Sequence, residues 1–226
     1  MKDALTSQLI TVAVVDPSWE NARDVAEFQR ILAAYPSLRV LGYSPLSAES
    51  FRAVAEFSRA GLDDLMLYSH DDTPERLRAS IDVLHETPLI TKMTESLRPS
   101  LDRLPVALAA VTAAMFRDPH QFQSVSEIAS RANVTVARLY RSSHQAGLAS
   151  PKRLLTAARL LRAYASLGDP GHSVHAVSIK LGFGHPRVFA AHAQEAFGLN
   201  PSRLRTHLSE DQVVDRLLRF VLPATS

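Results

Sequence analysis

The chain carries the same capped helix–turn–helix pattern twice, about 49 residues apart, and this repeat limits the fold more than any other feature. In the second copy Ser173 can cap a helix, because its hydroxyl can accept a free backbone N–H. Val174, Val177, Ser178 and Leu181 follow at i, i+3, i+4, i+7, one buried helix face. Gly182 can take the positive φ that ends a helix, and Phe183 can plug the space between two helices. Pro186 opens the next helix at a position where no N–H is missed. Phe189, Ala193 and Phe197 line its inner face, and Gly198 stops it. In the first copy Ser124 and Glu127 form a capping box, and Val125, Ile128, Ala129 and Ala132 repeat the buried spacing at an offset of 49. Asn133 stands where Gly182 stands, and Asn tolerates a left-handed turn. Leu139 matches Phe189, and Ser150-Pro151 matches Asn200-Pro201, at an offset of 50. Two short helices joined by a tight turn make a helix-turn-helix, whose second helix can enter the DNA major groove.

Leu181, Gly182 and Phe183, then Phe189, then the run from Phe197 to Ser202 closely resemble the second helix-turn-helix of AraC/XylS-family transcription regulators. The resemblance covers roughly residues 103–208. It implies an all-α C-terminal domain with two helix-turn-helix units joined by a long helix, and double-stranded DNA as the partner. It turns Ala137, Arg138, Tyr140 and Arg141 of the first recognition helix toward DNA. On the second, Arg187, Ala190, Ala191 and Gln194 share the outer face behind Pro186. Arginine can grip guanine O6/N7 with two hydrogen bonds or clamp a phosphate. Lys152, Lys180, Arg203 and Arg205 are candidate phosphate contacts. The first unit departs from the family pattern in two places. Ser143 replaces an aromatic, and Leu148 replaces a glycine, with Gly147 one place early.

Charge divides the chain in the same way. Residues 1–100 carry 10 basic and 15 acidic side chains, whereas residues 103–209 carry 13 and 4. An acidic half joined to a basic half suggests that only one part meets nucleic acid.

The N-terminal half alternates apolar runs with helical periodicity. Strands are expected over Leu9–Val15, Arg39–Tyr43 and Leu65–Tyr68. The first intervening helix buries Val25, Phe28, Ile31 and Leu32. The second, capped by Ser47 and stopped by Gly61, buries Phe51, Val54, Ala55 and Phe57. The third, opened by Thr73-Pro74, buries Leu77, Ile81 and Leu84. The alternation predicts a small α/β domain, βαβαβα, with a parallel sheet. The stretch from Arg59 to Leu67, with the helix after Thr73-Pro74, resembles the last strand and helix of a two-component receiver domain. The resemblance implies a shortened receiver. It lacks the family's acidic pair, since Asp16 stands alone, and Ser69 and His70 occupy the place of its lysine.

The expected layout is a receiver-like regulatory domain over 1–90, a linker over 91–102 that can hold a short helix, the DNA-binding domain over 103–208 and a helical tail over 209–226. Pro105–Phe116 is the first helix of the DNA-binding part. Pro151–Leu167 is a strut of roughly 25 Å joining the two units. The tail repeats Val213, Val214, Leu217, Leu218 and Val221 at helical spacing.

Cysteine is absent, which excludes disulfides and thiolate chemistry. No signal segment or apolar run of ~18 residues appears, so a cytoplasmic protein without a membrane partner is expected. His172 and His175, or His185 and His192, lack the further ligands a metal needs, and no cofactor is expected. There is no phosphate loop or nucleophile elbow, and no catalysis is expected. The reading is a sequence-specific transcription regulator, with RNA polymerase and a homodimer through the N-terminal half as candidate partners. The alternatives are a phosphorylation-dependent response regulator, a low-specificity architectural DNA-binding protein, and an enzyme using Asp16, Asp63 and Asp64.

Overall fold

Alternation along a single strand explains how the N-terminal unit is layered. In the computed structural model, which describes residues 10–18, 24–169 and 172–222, Val40 and Leu41 of β2 (Arg39–Ser44) are both fully buried. Successive strand side chains point to opposite faces. Val40 joins Phe28, Ile31 and Phe57 in one core, while Leu41 joins Met66 and Leu84 in another. The first core belongs to α1 (Val25–Ala34) and α2 (Ala48–Ala60), the second to α3 (Pro74–His85). The sheet, covered on both faces, is parallel throughout, in the order β1 (Val12–Val15), β2, β3 (Asp64–Leu67).

The small parallel α/β unit thus agrees with expectation, with corrections. The first strand is shorter than expected, and Leu9 lies outside the described residues. Phe51 is 71% exposed and Leu77 is also exposed, because Phe57 and Leu84 take the positions facing the sheet.

Several aspartates of this unit are held by backbone amides or a neighbouring hydroxyl. Asp16 accepts from the Ser18 amide at 2.9 Å, and Asp63 from Val40 at 2.7 Å. Asp71 accepts from the Leu67 amide at 2.6 Å, and Asp72 from the Tyr43 hydroxyl at 2.8 Å.

The chain divides into two compact units, Met1–Glu86 with Gly168–Gly171, and Thr87–Leu167 with His172–Ser226. The second is helical. It opens with α4 (Pro88–Leu101), where a linker was expected over 91–102. Thr87 caps this helix and Pro88 takes its first position. Leu89, Ile90, Met93, Leu97 and Leu101 are buried, and this apolar stripe makes the segment part of the core. Next come α5 (Val106–Arg117), α6 (Val125–Arg131), α7 (Val136–Gln145), α8 (Pro151–Ser166), α9 (Val174–Lys180) and α10 (Pro186–Phe197). The short α11 (Leu204–His207) precedes α12 (Glu210–Val221).

Helix α8 is the axis of this unit. It packs against α5, α6, α7, α9, α10 and α12. Its buried side chains are mostly small or apolar, Leu154, Leu155, Ala157, Ala158, Leu160, Leu161 and Ala163, with Arg162 and Tyr164 buried among them. The tail helix α12 packs on α4, α8 and α10. Ser209 and Gln212 cap it reciprocally, and Val213, Val214, Leu217, Phe220 and Val221 are buried. It is an integral wall of the helical unit.

Candidate nucleic-acid interface

The two helix pairs, α6–α7 and α9–α10, turn in the same way. After α9, the Gly182 amide donates to Ile179 at 3.1 Å and the Phe183 amide to Ser178 at 3.0 Å. After α6, the Asn133 amide donates to Ser130 at 3.0 Å and the Val134 amide to Ala129 at 2.9 Å. Both hinge residues take positive φ, 74° at Gly182 and 51° at Asn133. The N-terminal caps match as well. Ser124 accepts from the Glu127 amide and Ser173 from the Ala176 amide. One detail differs from the expected capping box: the Glu127 carboxylate reaches back to the Gln123 amide at 2.8 Å, one residue before Ser124. That bond, with Arg131 at 2.9 Å, holds the Glu127 carboxyl below the usual carboxylate range.

Each second helix is seated by its inner face. Leu139 and Ser143 are buried in α7, as are Phe189, Ala193 and Phe197 in α10. Ser143, which replaces an aromatic, satisfies its hydroxyl on the Leu139 carbonyl at 3.0 Å. Gly147 takes φ 74° and stands one place early because α7 ends sooner than α10, at Gln145 against Phe197. Phe183 stacks on Phe189, with ring centroids 4.9 Å apart. The His185 ring caps α10 by accepting from the Arg187 amide at 3.1 Å.

The outer faces carry the expected DNA-binding side chains. Ala137, Arg138, Tyr140 and Arg141 are exposed on α7. Arg187, Ala191 and Gln194 are exposed on α10, while Pro186 and Ala190 are half-buried. Lys152 is exposed in the first turn of α8, and Lys180 is half-buried, its ammonium lowered from the usual lysine range by desolvation. Arg203 is exposed, and the Arg205 side chain lies outside the described residues. A cleft of about 790 Å³ brings Ala137, Arg138 and Arg141 together with Arg103 and Thr135, while Arg187 lies on the other helix pair.

The remaining arginines divide from these by their partners. Arg159 donates to the Gly182 carbonyl at 2.8 Å and to the Phe122 carbonyl at 3.0 Å, tying the turn of the second pair to the segment before the first. Its burial disfavours the charged form and lowers its pKa. Arg153 donates to the Phe220 carbonyl at 2.7 Å, lies 3.9 Å over the Phe220 ring and pairs with Glu195 at 2.9 Å. Arg162 donates to the Arg117 carbonyl at 2.7 Å, and Arg216 to the Phe197 carbonyl. Among the described residues Arg138, Arg141 and Arg187 make no ion pair, so their charges remain available to an anion. Sequence reasoning missed Arg159 and Arg153 because each reads as a solvated position beside an apolar stripe.

Residues 128–207 match the helix-turn-helix domain family. The match supports a DNA-binding transcription regulator. No curated protein and no solved structure matches the chain. Among the described residues, no helix is long and apolar enough to cross a membrane, and no group of three or more His, Asp or Glu could hold a metal ion.

Proposed function

We propose that the chain is a sequence-specific transcription regulator in which α7 and α10 read two adjacent major-groove segments of one duplex. The observation that carries this reading is the contrast among the arginines. Those that hold the helices together are bonded to carbonyls, and those on the outer faces of α7 and α10 stand without counter-ions among the described residues. Two equivalent turns present the two faces, and α8 links the pairs. With 16 residues this helix is roughly 24 Å long, a scale suited to helices one DNA turn, ~34 Å, apart.

Arg138, Arg141 and Arg187 then supply bidentate base contacts or phosphate clamps, and Gln194 can pair with adenine. Tyr140 flanks the first helix. Ala137, Ala190 and Ala191 let the backbone approach closely or touch thymine methyls. Lys152 contacts phosphate. The N-terminal unit serves regulation or homodimer formation, and RNA polymerase is the partner that a regulator of transcription addresses. The use of Asp16, Asp63 and Asp71 as backbone caps supports a unit that signals without phosphorylation.

Selection of bound sites from random DNA tests the proposal. Two preferred segments about 10 bp apart are expected. One segment alone would remove the second reading helix, and no preference would favour an architectural role.

A further inference from the structure

We infer that Arg103 seats a DNA backbone phosphate beside the first recognition helix, in the cleft between the α4–α5 turn and α7. The inference rests on the DNA-reading function proposed above.

The cleft measures about 790 Å³, and Arg103, Arg138 and Arg141 line it with Thr135, Ser142 and Gln145. Among the described residues, no acidic side chain lines it. Arg103 is exposed and makes no ion pair among the described residues, yet its backbone is held. Its amide donates to Ser100 at 3.2 Å, and the next residue, buried Leu104, bonds to Leu101 at 2.9 Å. The guanidinium lies along the C-terminal end of α7, where a Cβ on Gly147 would stand 3.8 Å from Nη1. Three like charges thus line one cleft without a counter-ion, and an anion completes the electrostatics. The planar fork of arginine matches the tetrahedral oxygens of phosphate. Pro105 also lines the cleft and caps the 12-residue α5 without a side-chain acceptor.

The position selects a DNA phosphate over a base. Arg138 and Arg141 stand on the helix that enters the groove. Arg103 comes from a separate turn at the side of that helix and so is placed to meet a strand backbone. A phosphate contact adds affinity on every sequence and carries no base preference.

The test uses the full chain with Arg103→Ala and Arg103→Lys. Affinity is measured for the selected site and for random DNA across a salt series. Arg103→Ala is expected to weaken both by the same factor and to make the log–log salt dependence shallower by about 0.9. Its deficit then shrinks about three- to fourfold between 50 and 200 mM salt. Base preferences and thermal stability stay as in the wild type, and Arg103→Lys keeps the slope. An unaltered slope, or a changed preference at one base, overturns the seat. Inorganic phosphate, titrated against chloride at constant ionic strength, separates the other source. If Arg103→Ala abolishes phosphate binding while the DNA slope is unaltered, the cleft takes a free anion and the inference falls. Absence of any DNA binding by the wild type overturns this inference together with the proposed function. Wild-type binding with an unaltered Arg103→Ala slope overturns the inference alone.

Discussion

The Arg159 guanidinium lies against the Gly182 turn, so a side chain at Gly182 and the present position of Arg159 exclude each other. Nη1 of Arg159 donates to the Gly182 carbonyl at 2.8 Å, while Nη2 lies 2.9 Å from where a Gly182 Cβ would stand. The left-handed backbone, φ 74°, adds a second reason for glycine.

Gly182→Ala is therefore expected to destabilise the protein. The left-handed conformation costs about 1–2 kcal/mol for a residue with a Cβ, and the methyl displaces a guanidinium that donates to the carbonyls of Gly182, Phe122 and Gln123. In an Arg159→Ala background only the conformational cost remains, so the two changes should couple. Asn133→Gly, at the equivalent hinge of the first pair, should change stability by less than about 0.5 kcal/mol. Urea unfolding of the single and double variants measures this. Equal costs of Gly182→Ala in both backgrounds would refute the steric coupling.

A DNA-binding fragment must begin before α4. Its five buried apolar side chains, Leu89, Ile90, Met93, Leu97 and Leu101, contribute about 1.5–3 kcal/mol each. Their sum rivals the whole stability of a domain, about 5–15 kcal/mol. Residues 87–226 are expected to fold and bind DNA, residues 103–226 to unfold at far lower urea, and residues 1–86 not to bind. Circular dichroism and gel-shift of the three fragments check this. Equal stability of the two longer fragments would show that α4 is dispensable.

The start of α6 should be acid-sensitive. The Gln123 amide and Arg131 hold the Glu127 carboxyl below its ordinary pKa, so its stabilisation is present above the unfolded-state value, about 4.3. It is lost as pH falls through the depressed folded-state value. Glu127→Gln should be less stable than wild type at pH 6–8, and the difference should close toward pH 3. Urea midpoints across pH report it, and a gap that persists in acid would assign the effect to packing instead.

These features differ in how far the residues announced them. Strand and helix alternation, the hinge at Asn133 and Gly182, and the Ser caps were legible because each rests on a local rule of spacing or backbone freedom. Which of Phe51 and Phe57 faces the sheet was not, since helical periodicity admits either and the neighbouring elements decide. Helix α4 carried its own start signal in Thr87-Pro88, but Pro99 and the polar residues between the apolar ones obscured it. The exposed arginines of α7 and α10 followed from the family resemblance. Arg103 and Arg159 did not, because their roles depend on elements distant in sequence, such as α7 beside the α4–α5 turn and Gly182 beside α8.

The most direct test of the account compares Arg141→Ala and Arg187→Ala on the selected site and all its single-base variants, at one fixed salt concentration. A bidentate base contact is worth about 1–3 kcal/mol of discrimination. Arg141→Ala is expected to relax preference at one base, and Arg187→Ala at a second base about 10 bp away. Ala190→Ser and Ala191→Ser should leave both preferences unchanged. Loss of specific and non-specific binding in equal proportion by both arginine variants would contradict the account, because these side chains would then hold phosphates only.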